Sequence, residues 1–284
     1  MTRSAALAFL VGSTASTLAW GDARVNVAHL APFSASAPGT AVSVNVNGSQ
    51  VLTGVQFNQI SGYLTLAGPG VAPGSTLVEV FAPPATPPPA ITGTFDLAAD
   101  TDYTVAAIGD VSNQPLALLP LVDDNSPPSA GNVRLRIVHA APFAASLPAT
   151  AVSIRTQAGD IVNGLANVEF GQNSGYFELP AGTYDLKIAT PDGATTLIDP
   201  APVTLAAGTI ATLFAVGDGS NQALGVTAVF GDGSSAILPL APPPSSAPLP
   251  APALSAWGIA ALLTLICFIA VTHRIRARRA LARK

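Results

Sequence analysis

The chain has 284 residues, 49% apolar and only 10% charged, with 25 Gly and 26 Pro. So few charges argue against long solvent-facing helices, and the abundant turn formers favour short strands, in an all-β chain long enough for two domains. Between Arg24 and Pro250 five basic residues face fifteen acidic ones, a balance that would repel a phosphate backbone and excludes nucleic acid as a partner.

Residues 1–23 predict a signal peptide. Arg3 supplies its charge, and Ala5 to Leu18 form a short apolar core broken by Gly12, Ser13 and Thr14, too short and polar to span a bilayer. The pairs Thr17/Ala19 and Gly21/Ala23 both suit cleavage.

From Arg24 the chain repeats itself: RVNVAHLAPFSAS at Arg24 returns as RLRIVHAAPFAAS at Arg134, an offset of 110 residues. Ala41 to Val44 maps onto Ala151 to Ile154, Ser61-Gly62-Tyr63 onto Ser174-Gly175-Tyr176, and GDVSNQPL at Gly109 onto GDGSNQAL at Gly217. Within each copy apolar residues alternate, as at Val42, Val44 and Val46, followed by the hairpin signal Asn47-Gly48. Seven or eight such strands per copy predict tandem Ig-like antiparallel β-sandwiches over 24–122 and 133–240. Residues 123–132, beginning DDNSPPSAG, read as a linker between independently folding domains.

Residues 241–253, with APPPSSAPLPAP, predict a stalk of polyproline II character. Leu254 to Thr272 carries no charge, and residues 254–273 are long enough for one C-terminal transmembrane helix. Arg274, Arg276, Arg278, Arg279, Arg283 and Lys284 follow in a basic tail, 274–284, which the positive-inside bias keeps cytoplasmic. The membrane is therefore an expected partner. The single cysteine, Cys267, lies in the span, so no disulfide is expected outside.

The V-x-x-A-H-x-A-P opening, the Ala-Val-x-Val strand, the Ser-Gly-Tyr element and the Gly-Asp turn resemble a bacterial and archaeal domain of unknown function, family 4397. That resemblance covers about 24–122 and 133–230 and implies an exported β-sandwich without an established activity. Pro252, Leu254, Ser255, Trp257 and Gly258, with the span and Arg cluster after them, resemble the I-P-T-L type of C-terminal sorting signal. Ala251, Ala253 and Ala256 stand where that family has Ile, Thr and Glu. The resemblance implies a membrane-embedded processing enzyme of the exosortase kind as a partner.

Candidate chemistry is sparse. Each copy offers one histidine, His29 or His139, with no Gly-x-Ser-x-Gly elbow beside it. Alternation points both inward, which favours a structural role over catalysis or metal binding. Asp110, Ser112 and Asn113, with Asp218, Ser220 and Asn221, gather oxygens as calcium prefers, yet Asp, Ser and Asn also build plain turns. Turns, and no cofactor, are the expectation. The leading reading is a non-catalytic surface module binding a protein or polysaccharide, or serving structurally. The competing one is an envelope enzyme, glycan-acting for instance, whose site is formed by sandwich loops.

Overall fold

The computed structural model describes residues 21–64 and 73–242. The predicted signal core, the Pro-rich stalk beyond Pro242, the span, the basic tail and the sorting residues Pro252, Leu254, Ser255, Trp257 and Gly258 lie outside the described residues. Among the described residues no helix is long and apolar enough to cross a membrane. The described residues are all-β, with eighteen strands and two short 3-10 turns.

Repeat 1 contains β1 (Arg24–His29), β2 (Val42–Val46), β3 (Ser49–Val55), β4 (Gln59–Leu64), β5 (Gly74–Phe81), β6 (Ile91–Leu97), β7 (Asp102–Ile108) and β8 (Ala117–Asp123). They form two four-stranded sheets, β4-β1-β7-β8 and β3-β2-β5-β6. Val25, Val27, Tyr103 and Val105 of the first sheet pack against Val44, Val78 and Val80 of the second.

Repeat 2 contains β9 (Asn132–His139), β10 (Ser153–Thr156), β11 (Asn173–Pro180), β12 (Gly182–Tyr184), β13 (Leu186–Ala189), β14 (Thr196–Ile198), β15 (Val203–Leu205), β16 (Ile210–Val216), β17 (Gly225–Phe230) and β18 (Ser235–Leu238). Its large sheet runs β11-β9-β16-β17-β18. The opposing layer is divided into β10-β13-β14 and β12-β15.

The expectation of wholly antiparallel sheets fails at one pair in each repeat. β1 runs parallel to β7, and β9 parallel to β16. The chain leaves the first strand of each repeat, builds the opposing layer, and returns by a long crossover, which is the connection a parallel pair needs.

Strands of a parallel pair are usually covered on both faces, and these are. The even-numbered residues Ala28, Ala106 and Ile108 turn away from the repeat 1 core and pack against Val138, Phe214 and Val216 of repeat 2. Leu30 and Leu121 join the same cluster with Ala140 and Val229. Each of these repeat 1 residues has its counterpart, 108 or 110 positions on, in the same cluster. One patch thus meets its own copy, as across a two-fold axis. The polar clasp follows the same symmetry: Gln114 Nε2 donates to the Ala144 carbonyl, and Gln222 Nε2 to the Ser34 carbonyl, both at 2.7 Å.

A shared apolar core therefore joins the repeats, beside a separate core within each. The segment 123–132 is tied to its surroundings at several points. Asp123 ends β8, Asn132 begins β9, and Asn125 Nδ2 donates to Asp102 at 2.7 Å and to the Tyr63 hydroxyl at 3.0 Å. Composition marked this segment as exposed, and Asp124, Ser126, Pro127, Ser129, Ala130 and Gly131 are, while the side chains of Asp123 and Asn125 are hydrogen-bonded.

Candidate functional site

The residues that identify each repeat occupy structural positions. His29 and His139 end β1 and β9, each about 1% exposed. Nε2 of His29 lies 2.8 Å from the Thr40 carbonyl and Nε2 of His139 lies 2.7 Å from that of Thr150. A carbonyl only accepts, so Nε2 carries the proton in both rings. The Thr40 and Thr150 hydroxyls in turn accept from the Phe57 and Phe170 amides at 2.8 and 2.9 Å. Each imidazole thus pins a strand end to a 3-10 turn and a loop, beneath Phe33 or Phe143 at about 5.6–5.7 Å between ring centres.

Burial disfavours the charged imidazole, lowering His29 and pushing His139 down to about 4. The unfolded chain binds the proton near 6.5, so stability is full above that pH and falls until about 4, by about 3 kcal/mol for His139. Urea midpoints at pH 7.5 and 4.5 should show this loss. His139→Gln, whose amide can still donate to Thr150, should shrink it; an unchanged pH dependence would place its source elsewhere.

The Gly-Asp motif is a turn. Gly109 and Gly217 have φ of +94° and +87°, and a Cβ on either would come within 2.1 Å of a backbone carbonyl oxygen, so no other residue fits. Asp110 Oδ1 accepts from the amides of Asn113 and Gln114 at 2.8 and 2.9 Å, and Oδ2 from Asn113 Nδ2 at 2.7 Å. Asp218 repeats this with the amides of Ser220, Asn221 and Gln222 and with Asn221 Nδ2. These carboxylates organise the turns that carry the clasping glutamines, and their oxygens are already occupied.

The Ser-Gly-Tyr element is a bulge. Gly62 and Gly175 interrupt the β1–β4 and β9–β11 ladders, and Ser61 and Ser174 accept the Val27 and Ile137 amides at 2.9 Å. The bulge aims Tyr63 and Tyr176 into the interface between repeats, where a polar network missed by the sequence reading lies. Arg136 donates to Asp123 at 2.5 Å, to the Val122 carbonyl at 2.7 Å and to Thr212 Oγ1 at 2.8 Å, with the Tyr176 ring 4.5 Å away. The second Asp123 oxygen accepts from Tyr63 and Thr104 at 2.8 and 2.7 Å. Burial, with the charge of Asp123, raises the Tyr63 phenol. The remaining gap of about 10 Å³ has space for at most a single water, so the network is a fastening rather than a reaction centre. A signal was present in the repeat itself: Arg136 and Asp123 stand where the other copy has Asn26 and Gly231.

The candidate site is instead a groove of about 480 Å³ along the seam of the repeats. Repeat 1 contributes Leu52, Asn58, Gln59 and Ser61 from β3, β4 and the turn between them; repeat 2 contributes Thr227 and Ile237 from β17 and β18. Asn58 Oδ1 accepts from the Thr227 hydroxyl across the seam. At one end of the interface Gly233 lets the chains approach: a Cβ there would lie 2.9 Å from the Tyr63 amide nitrogen. The groove offers amides, hydroxyls and aliphatic side chains, and its lining residues include no ionisable group. His29, His139, Asp110 and Asp218 do not line it. Among the described residues no group of three His, Cys, Asp or Glu side chains is placed to hold a metal ion.

Among known proteins, the model of a family described as a domain of unknown function (DUF4397) matches residues 33–150 and 143–236. The two matches start 110 residues apart, at the equivalent Phe33 and Phe143. The first runs through 123–132 and β9 before ending at Thr150. No curated protein matches the chain.

Proposed function

The chain belongs to the DUF4397 family; from its terminal sequence patterns and the groove between its repeats we propose an exported cell-envelope protein whose paired repeats form one non-catalytic binding module tethered at the membrane. The repeats read as Ig-like sandwiches modified by one parallel pair each. Residues 254–273 serve as the anchor, and Pro252, Leu254, Ser255, Trp257 and Gly258 as a sorting signal for an exosortase-type enzyme.

The observation that carries the binding reading is the seam groove. Its volume lies in the range of ligand sites, and it combines hydrogen-bonding amides and hydroxyls with apolar surface. It exists only because the repeats are fastened together. A lining without ionisable groups supports holding an uncharged stretch of protein or polysaccharide over hydrolysing a glycan, which needs two carboxylates.

The test uses the full chain in nanodiscs against a glycan array and envelope proteins from its host. Gln59→Ala combined with Ile237→Asp should lower capture at least tenfold with little change in melting temperature. Capture indifferent to both changes would move the site elsewhere, and no capture at all would leave a structural spacer. For the tether, a reporter fused after Lys284 should be cytoplasmic and one inserted at Pro242 exported. The reverse orientation would overturn it.

A further inference from the structure

Repeat 2 encloses an apolar cavity of about 90 Å³, with a floor of Leu135, Ala211, Ala215 and Val226. These are buried residues, whereas Tyr184, Leu186, Lys187, Pro200 and Val203 at its rim are partly open to solvent. The matching place in repeat 1 holds only about 20 Å³.

The difference traces to particular residues. In repeat 1, Tyr103 and Phe95 fill the core between the sheets; 108 positions on stand Ala211 and Val203. The wall changes too. β6 pairs with β5 along seven residues, but Pro200 and Pro202 replace its Thr92 and Thr94. Proline has no N–H for a ladder, so the layer divides into β13-β14 and β12-β15 and a seam opens at the rim.

An empty space of this kind is unfavourable, because its lining atoms lose dispersion partners and native cores leave few voids larger than a water. Water is a poor filler, since it needs polar partners. The Tyr184 hydroxyl is already bonded to the Pro180 carbonyl, and the Lys187 ammonium to that of Gln157. Asp185 and Asp199, which both accept from Gln157 Nε2, lie beside that lysine's partner and disfavour an anionic head group. A cavity of about 150 Å³ lined by Leu, Ile and Phe in another protein stays dry and takes up benzene. The space here is smaller and suits something narrower.

We infer that this cavity binds a slender uncharged hydrocarbon group, the end of an alkyl chain, entering between β13-β14 and β12-β15. A free alkane and the tail of a membrane lipid share that chemistry. The site shares no lining residue with the seam groove, so either can fail alone.

The experiment titrates the full chain, held in nanodiscs of dimyristoyl phosphatidylcholine, with n-hexane while following the methyl NMR signals of Ile154, Leu186 and Val226. Saturable shifts are expected. They should weaken at least tenfold in Ala211→Tyr combined with Val203→Phe, which installs the repeat 1 residues. Should that pair not fold, as judged by the Val138 methyls of the inter-repeat core, Val203→Phe alone serves. Signals that follow the acyl chain of the nanodisc lipid and ignore hexane would identify a lipid tail as the occupant. Signals indifferent to both, or equal shifts in the filled variant, would overturn the inference.

Discussion

Phe214→Ala should lower the unfolding free energy by about 3–5 kcal/mol and loosen both repeats at once. Phe214 is fully buried, and its ring lies among Ala28, Ala106 and Ile108 of repeat 1 as well as Val216 and Val229 of its own. That is a large share of the roughly 5–15 kcal/mol that holds a native domain together. The deletion leaves a hole that neither sheet can close alone, because both are rigidified on their far faces by separate cores. Hydrogen exchange distinguishes the outcomes. Amides of β7 and β16 should lose protection together, and a chain nicked between Ser126 and Gly131 should still elute as one particle. Loss confined to β16, or separation of the nicked halves, would return the repeats to independent domains.

The second large effect concerns the ion pair. Arg136 and Asp123 each have about 4% of their side chain exposed. Arg136→Ala strands the Asp123 carboxylate with hydroxyl donors alone, and removing one partner of such a pair costs about 3–5 kcal/mol. Replacing both, with Arg136→Met and Asp123→Leu, should be far milder than either single change, because no buried charge is left. Urea midpoints of the four proteins give the coupling. A single change costing under about 1 kcal/mol, or effects that simply add, would mean that solvent reaches the pair and that the apolar contacts alone hold the interface.

Much of this architecture is legible in the sequence alone. The repeat, the all-β class, the turn at each Gly-Asp and the inward histidines follow from spacing and residue type. What a period-two reading passed over was two-sided burial. The runs around Val27, Val105, Ile137 and Leu213 are apolar on both faces, and every residue of β7 after Asp102 is buried. Such runs mark strands covered front and back. Reading them as half-buried hid both the parallel pairs and the interface. The seam groove was invisible for a plainer reason: Asn58 and Thr227 are 169 positions apart, and nothing in either local pattern states that β4 and β17 meet.

The self-matching interface has a consequence for how the two copies could diverge. Were the same surface to join two separate identical chains, every substitution would appear on both sides of the axis, and a lone arginine would arrive with a second beside it. Placing both copies on one gene product removes that constraint and keeps the partner at millimolar effective concentration. One side of the axis then carries Arg136 with Asp123 while the related positions keep Asn26 and Gly231. By the same freedom one copy fills its interior with Tyr103 and Phe95, and the other stays hollow at Ala211 and Val203.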